Sequence, residues 1–329
     1  MYKPGFPVTL DRETVATGAV DIGGTKIAVG AIDAGGRIVA KEETATAAAD
    51  GFEAAMNRIA SMLSSVSSRA GMRLQGIGIG CTGPVDPLTG EIGAVDFLPG
   101  WLGCNPVGFL SKRFRLDVAM ENDADAAALA EARWGAGRGK RTLVYVTVGT
   151  GIGGGIILNG VLYRGADGMH PEIGHHVIAA EGPRCSCGAR GCWEVLARGP
   201  AMAQRVMREA PHDYPHRDTL TAQDVCALAR DGDPIAMREV AREGRYLGIG
   251  VANLVTLFAP EVIVLGGGVM SSADLFLPAI HESIRRSCGL IQSDRVRVIA
   301  SPLGGDAALI GAAVVWLQRM AGTGQGCSA

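Results

Sequence analysis

The chain has 329 residues, of which 47% are hydrophobic and 19% charged, and its net charge is −2. That length leaves room for two domains with a large core, and the near-neutral balance gives no basic excess for nucleic acid and no charged tail. No apolar run reaches about 18 residues, which excludes a helical membrane span.

The first 16 residues read as a loosely held extension with no apolar segment of the kind that leads a secreted chain. Residues 17–32, TGAVDIGGTKIAVGAI, predict two short strands around a glycine turn. Gly23 and Gly24 let backbone amides approach an anion closely, and Thr25 and Lys26 add a donor and a charge. Neither the Walker spacing nor the dinucleotide fingerprint is present. Residues 51–70 place Phe52, Ala55, Met56, Ile59, Leu63 and Val66 on one helical face. LQGIGIG (74–80) predicts a buried strand, CTGPVDPLTGEIG a turn-rich loop, FLPGW (97–101) a loop able to cover a pocket, and 116–120 a short strand.

At Glu121-Asn122-Asp123 an alanine-rich helix begins, with Asn122 or Asp123 at or next to its N-cap and Gly135 after its end. A carboxylate there stays ionised and oriented, which suits a general base acting on a hydroxyl. Residues 142–162 repeat the strand–glycine turn–strand pattern around Gly149-Thr150-Gly151-Ile152-Gly153-Gly154. Two such units predict a duplicated α/β lobe, each presenting a glycine turn to one shared phosphate-binding cleft.

Residues 170–194, HPEIGHHVIAAEGPRCSCGARGCWE, gather Cys185, Cys187 and Cys192 behind a histidine pair, His175 and His176. Three thiolates and one imidazole suit a closed tetrahedral Zn²⁺ site. Three small buried cysteines are the plainer alternative, and the C-x-C spacing disfavours a redox pair. Glu172 and Glu194 flank the group without being needed to complete it. The other five of the eight cysteines (Cys81, Cys104, Cys226, Cys288 and Cys327) are scattered, which fits a reducing cytoplasm rather than a disulfide framework.

Residues 199–258 read as mostly helical, with breaks at Pro211, Pro215 and Pro234. EVIVLGGGV then predicts a strand whose end, at Gly266 and Gly267, could support a nucleotide. A helix over 272–288 is expected to kink or divide at Pro278. A strand, RVRVIAS, and a closing helix at 306–318 follow, then a frayed tail.

DIGGTK (21–26), END (121–123), VGTGIGGG, EIGH (172–175) and CSCGARGCWE (185–194) occur together and in this order, and the chain resembles the ROK family over nearly all of 17–318. The resemblance implies an α/β, two-lobed actin/hexokinase-like (ribonuclease H-like) fold with a small zinc-binding segment. It divides the chain into an extension (1–16), a first lobe (17–122) and a second lobe (123–318), with the closing helix able to pack back on the first, and a tail (319–329). It implies an ATP-dependent hexose kinase acting at the 6-hydroxyl, with glucose first. N-acetylmannosamine, N-acetylglucosamine and fructose are alternatives.

By the same resemblance Asp123 is the catalytic base, and Asn122, Asp123, Glu172, His175 and Glu194 bind the sugar. Asp21, Gly23, Gly24, Thr25, Lys26, Gly149, Thr150, Gly151, Gly153, Gly154, Gly266 and Gly267 hold ATP, with Asp21 orienting Mg²⁺ through water. His175, Cys185, Cys187 and Cys192 bind a structural Zn²⁺ that fixes the imidazole for the sugar. The family often forms homodimers. Its repressors carry an N-terminal helix-turn-helix, whereas DIGGTK begins here at Asp21 and the residues before it have no helical pattern, so a non-catalytic sugar-sensing regulator is the lesser reading. Two departures fall near the expected sugar pocket. Phe97 stands where many ROK glucokinases have a sugar-reaching asparagine (NLPGW), and His170-Pro171 replaces the Ala-Gly before EIGH, as in the fructokinase-like branch.

Overall fold

A computed structural model describes residues 14–209, 214 and 219–323. The expected breaks at Pro211 and Pro215, the extension up to residue 13 and the end of the tail lie outside the described residues. The chain divides into two compact units, Met1–Trp134 with Asp306–Ala329, and Gly135–Gly305.

The first unit is built on a five-stranded sheet of order β3-β2-β1-β4-β7. Its strands are β1 (Val15–Ile22), β2 (Lys26–Ile32), β3 (Ile38–Ala45), β4 (Arg73–Cys81) and β7 (Val118–Asn122). β2 runs antiparallel to β1 and β3, whereas β4 is parallel to β1 and β7. A small two-stranded ribbon, β5 (Val85–Asp86) with β6 (Glu91–Ile92), stands apart. Helix α1 (Phe52–Ala70) buries Ala55, Met56, Ile59, Leu63 and Val66 at helical spacing, and these join Val20, Val29 and Ile79 in one core.

The opposite face of this sheet explains the alternating glycines of β4. A Cβ on Gly78 would lie 1.7 Å from the Ala312 carbonyl oxygen, and one on Gly76 would meet the Trp316 ring at 2.1 Å. The bare strand lets helix α9 (Ala307–Thr323) lie directly on the sheet. Helix α3 (Asp123–Trp134) in turn packs on α9 through buried alanines, with Gly311 against the Ala126 carbonyl. Helix α2 (Pro106–Phe114) completes the unit. Because α3 and α9 share this small-residue contact, α3 stays with the first sheet. The unit therefore runs twelve residues beyond the boundary expected at 122/123, and the closing helix belongs to it.

The second unit repeats the strand pattern in the order β10-β9-β8-β11-β12, with β8 (Leu143–Val148), β9 (Ile152–Leu158), β10 (Val161–Leu162), β11 (Val262–Gly266) and β12 (Arg297–Ala300). Orientations match strand for strand: antiparallel at β8–β9 and β9–β10, parallel at β8–β11 and β11–β12. The duplication expected from two glycine turns is thus present in the topology of both sheets. Helices α4 (Trp193–Ala197), α5 (Gly199–Glu209), α6 (Ala222–Arg230), α7 (Pro234–Phe258) and α8 (Ala273–Ser287) build its helical layer. Pro234 marks the expected break, standing after α6 as the first residue of α7. Asp233 caps it by accepting from the Ile235 and Ala236 amides at 3.0 and 2.8 Å.

Two features differ from the sequence reading. β3 has no counterpart in the sequence reading, because its Lys and Glu residues on an edge strand mask the apolar alternation. Pro278 does not divide α8, since it removes a single hydrogen bond near the first turns of a helix already packed through Phe276 and Ile280. Among the described residues no helix is long and apolar enough to cross a membrane.

Candidate active site

In the first unit the expected residues lie at the ends of β1 and β7. The β1–β2 turn is closed by Gly23 N donating to Lys26 O at 2.9 Å. It is braced from outside by Thr46, a fully buried residue whose hydroxyl donates to Gly23 O at 2.6 Å and whose amide donates to Thr25 O. Lys26 Nζ is paired with Glu43 Oε1 at 2.9 Å, so its charge is already partly matched. Nothing in the local sequence marks Thr46 or Glu43 as part of this turn.

Asn122 ends β7 and Asp123 begins α3. Asn122 Oδ1 accepts from the amides of Ala124 and Asp125 at 2.9 and 3.3 Å, and Asp123 Oδ1 accepts from Ala124 at 2.8 Å. Asn122 therefore does most of the capping, which settles which of the two holds that position. Burial raises the Asp21 carboxyl, and the charge of Asp123 adds to it, so that Asp21 is pushed up to about 7 against the partial relief of Lys26 and Lys41. Phe97 is half exposed and sits against the turn. A Cβ on Gly24 would come within 2.6 Å of the Phe97 Cβ.

In the second unit the β8–β9 turn is tied at both ends. Gly149 N donates to Gly151 O at 2.9 Å, and Gly199 N at the start of α5 donates to Gly149 O at 2.9 Å. Ile152 N donates to Glu194 Oε2 at 3.0 Å. A Cβ on Gly151 would lie 2.5 Å from the Glu194 carboxylate, so a side chain there would displace that carboxylate. Gly174 approaches the Ile152 carbonyl oxygen so closely that a Cβ would fall 1.9 Å away. Ile152 thus joins three expected parts: the glycine turn, Glu194 on α4, and the short turn holding Glu172 and His175. Thr150 is exposed at the tip, and Gly153 and Gly154 lie in β9. Gly266 and Gly267 close β11 against the end of β8. A Cβ on Gly267, which has φ +86°, would meet Val148 O at 2.4 Å.

The ligating atoms of His175, Cys185, Cys187 and Cys192 all lie within 4.8 Å of one another. Cys187 Sγ is 3.5 Å from Cys192 Sγ, and Cys185 Sγ is 3.5 Å from His175 Nδ1. Zn–S bonds of about 2.3 Å at tetrahedral angles put ligand atoms roughly 3.7 Å apart, so the four side chains fit such an ion. Burial pushes the Cys192 thiol up to about 12, a charge penalty that a bound cation offsets. His176 stands outside this group of four. Its Nδ1 is within 2.5 Å of the Ile173 carbonyl and its ring packs on Trp193. All seven described cysteines are free of disulfides.

Two α/β sheets of identical topology, each ending in a glycine turn, define the sugar kinase/actin class of fold. Within that class the chain belongs to the ROK family, whose pattern matches residues 17–319. It is 34% identical over 312 residues to a glucokinase of Thermotoga maritima, covering 92% of this chain and 98% of that one. Its fold is similar to a ROK hexokinase from Thermus thermophilus (TM-score 0.80, 36% identity, 93% and 100% coverage). It is equally similar to a ROK family glucokinase from Streptomyces griseus in complex with glucose and AMPPNP (TM-score 0.80, 35% identity, 91% and 98% coverage).

Proposed function

We propose that this chain is an ATP-dependent glucokinase that transfers the γ-phosphate of ATP to the 6-hydroxyl of glucose. The carrying observation is the pair Asp21 and Asp123: burial first, and then the nearby charge of Asp123, raise the Asp21 carboxyl to about 7. Such a pair calls for a cation and a proton-bearing substrate rather than for a purely structural role.

Asp123 takes the proton of the sugar hydroxyl as its oxygen attacks the γ-phosphorus, and ADP leaves with the bridging oxygen. Asn122 fixes the start of α3 and so the direction of the Asp123 carboxylate. Asp21 is the residue that would hold Mg²⁺ through its water shell, and that ion would supply charge neutralisation at the phosphates. The Gly23–Lys26 and Gly149–Gly154 turns offer backbone amides to phosphate oxygens, and Gly266 and Gly267 admit the nucleoside. Glu172, His175 and Glu194 accept and donate to sugar hydroxyls. His175 presents Nδ1 to the cysteine cluster, which leaves Nε2 for the sugar. Bound zinc would supply rigidity only.

Free cysteines support a reducing compartment, and a homodimer fits the family. The first assay is ADP release over glucose, mannose, fructose, N-acetylglucosamine and N-acetylmannosamine. Glucose is expected to give the highest kcat/KM. Preference for an N-acetylhexosamine or fructose would replace the substrate, and no turnover with any sugar in the zinc-loaded protein would favour a sugar-sensing regulator.

A further inference from the structure

A cavity of about 680 Å³ opens in the second unit between α4, α5 and α7, and the reaction described above makes no use of it. Its volume lies within the range of small-molecule sites. One end is apolar, formed by Pro183, Val195, Leu196 and Ala201. The rest is lined by Arg198, Arg205, Arg208 and Arg242, with Glu209 and Glu239 as the lining carboxylates among the described residues.

Among the described residues the charges do not balance. Arg205 is the buried floor, donating to Glu239 Oε2 at 2.6 Å and to Glu243 Oε2 at 2.5 Å. Arg242 takes the other oxygen of Glu239 at 3.0 Å, and Glu209 is taken by Arg238. Arg198 and Arg208 have no carboxylate partner among the described residues. The Arg198 Nε is buried and unbonded, and Arg208 Nε reaches only the Gln204 carbonyl at 3.3 Å. Guanidinium groups left over beside an apolar wall fit an anion with a short carbon body.

The cavity is also joined to the residues proposed to bind substrate. Arg205 Nη1 donates to the Leu196 carbonyl of α4 at 2.7 Å. The same helix carries Glu194, bonded to Ile152 N, and the residue after Arg198 donates to Gly149 O. A ligand on Arg198 and Arg205 thus touches the helix that holds the glycine turn.

We propose that this cavity is an effector site for a small organic anion bearing a phosphate or carboxylate group, held by Arg198, Arg208 and Arg242 with its carbon body on Val195 and Leu196, and coupled through α4 to the sugar and phosphate residues. The coupling rests on the kinase reading; the binding does not.

Calorimetric titration of the full chain with glycerol 3-phosphate and with glycerate tests it, first alone and then in the presence of AMPPNP and glucose. The two probes separate a phosphate source from a carboxylate source. At least one is expected to bind at one site per chain under both conditions. Arg208→Gln should weaken that binding about tenfold or more while leaving basal turnover unchanged. The bound probe should shift the glucose KM in the wild type and not in Arg208→Gln, and glucose should shift probe affinity by the same factor. Absence of binding by either probe, binding abolished by AMPPNP, or binding unaffected by Arg208→Gln each overturns the site. A probe that binds without shifting KM in an active enzyme overturns the coupling. A change in sedimentation of Arg208→Glu with no probe binding would make the cavity an interface between copies of the chain, which also overturns it.

Discussion

Burial, with the neighbouring charge of Asp123 added to it, holds Asp21 in its protonatable range. Asp21 is the next-to-last residue of β1 and Asp123 begins α3, and their mutual repulsion adds to burial in raising the Asp21 carboxyl to about 7. Replacing Asp123 with Asn removes the proposed base while the Asn122 cap of α3 remains. Turnover is expected to fall about a hundred- to ten-thousandfold, with glucose affinity retained, as read by ADP release and calorimetry. Equal loss of both would make Asp123 a positioning residue instead.

The raised Asp21 carboxyl also sets a pH dependence for nucleotide binding. It must lose its proton to face the water shell of Mg²⁺, so binding of Mg-AMPPNP should release a proton. With an Asp21 pKa of about 7, affinity should rise about tenfold between pH 6 and pH 8. Asp21→Asn should bind weakly and with a flat profile. A wild-type profile that is flat across this range would mean that Asp21 does not face the metal.

Stability of the metal-free protein should move the other way. Glu243 is fully buried against Arg205 and is pushed up to about 7 by that burial. A carboxyl whose folded value is raised contributes stability that is fully present below its ordinary range and is lost as pH rises through about 7. Glu243→Gln cannot ionise, so its melting temperature should fall less steeply between pH 5 and pH 8 than that of the wild type. Parallel melting curves for the two proteins would show that Glu243 is not protonated in the fold.

Much of this architecture is legible in the residues because glycine and cysteine have few other uses at such spacing. Gly24, Gly151 and Gly154 mark places in or beside the two turns where a Cβ would crowd its neighbours, and the alternating glycines of β4 mark a face that α9 covers. What is not legible is tertiary. Thr46 braces the Gly23 turn from the end of β3, a strand whose charged edge hides it. The unit boundary follows the packing of α3 on α9, two segments remote in sequence. The pairing of Lys26 with Glu43 shows that a lysine in a phosphate-turn motif can spend its charge on a neighbouring strand.

The cysteine cluster gives a prediction about metal and sugar together. Cys187 is exposed, so Cys187→Ser should not disturb the core. It should lose zinc, measured by atomic absorption, and glucose affinity should fall with it, because His175 Nδ1 would no longer be fixed. Zinc-free protein with unchanged glucose affinity would separate the metal from the pocket.

Phe97 is where sugar preference should be sought. Leu98 and Trp101 are buried and anchor the segment, whereas Phe97 remains 52% exposed and presses on Gly24. Gly24→Ala should therefore lower turnover by displacing the turn, and Phe97→Ala should restore part of it, a coupling that a double-mutant cycle measures. Phe97→Asn puts a hydrogen-bonding amide at the position where the ROK resemblance implies one in many glucokinases. It is expected to lower the glucose KM several-fold, an amount fitting one added hydrogen bond of about 1 kcal/mol, with little change for sugars that lack the matching hydroxyl. If Phe97→Asn instead raises the KM for ATP and leaves that for glucose alone, the ring serves the phosphate turn and not the sugar.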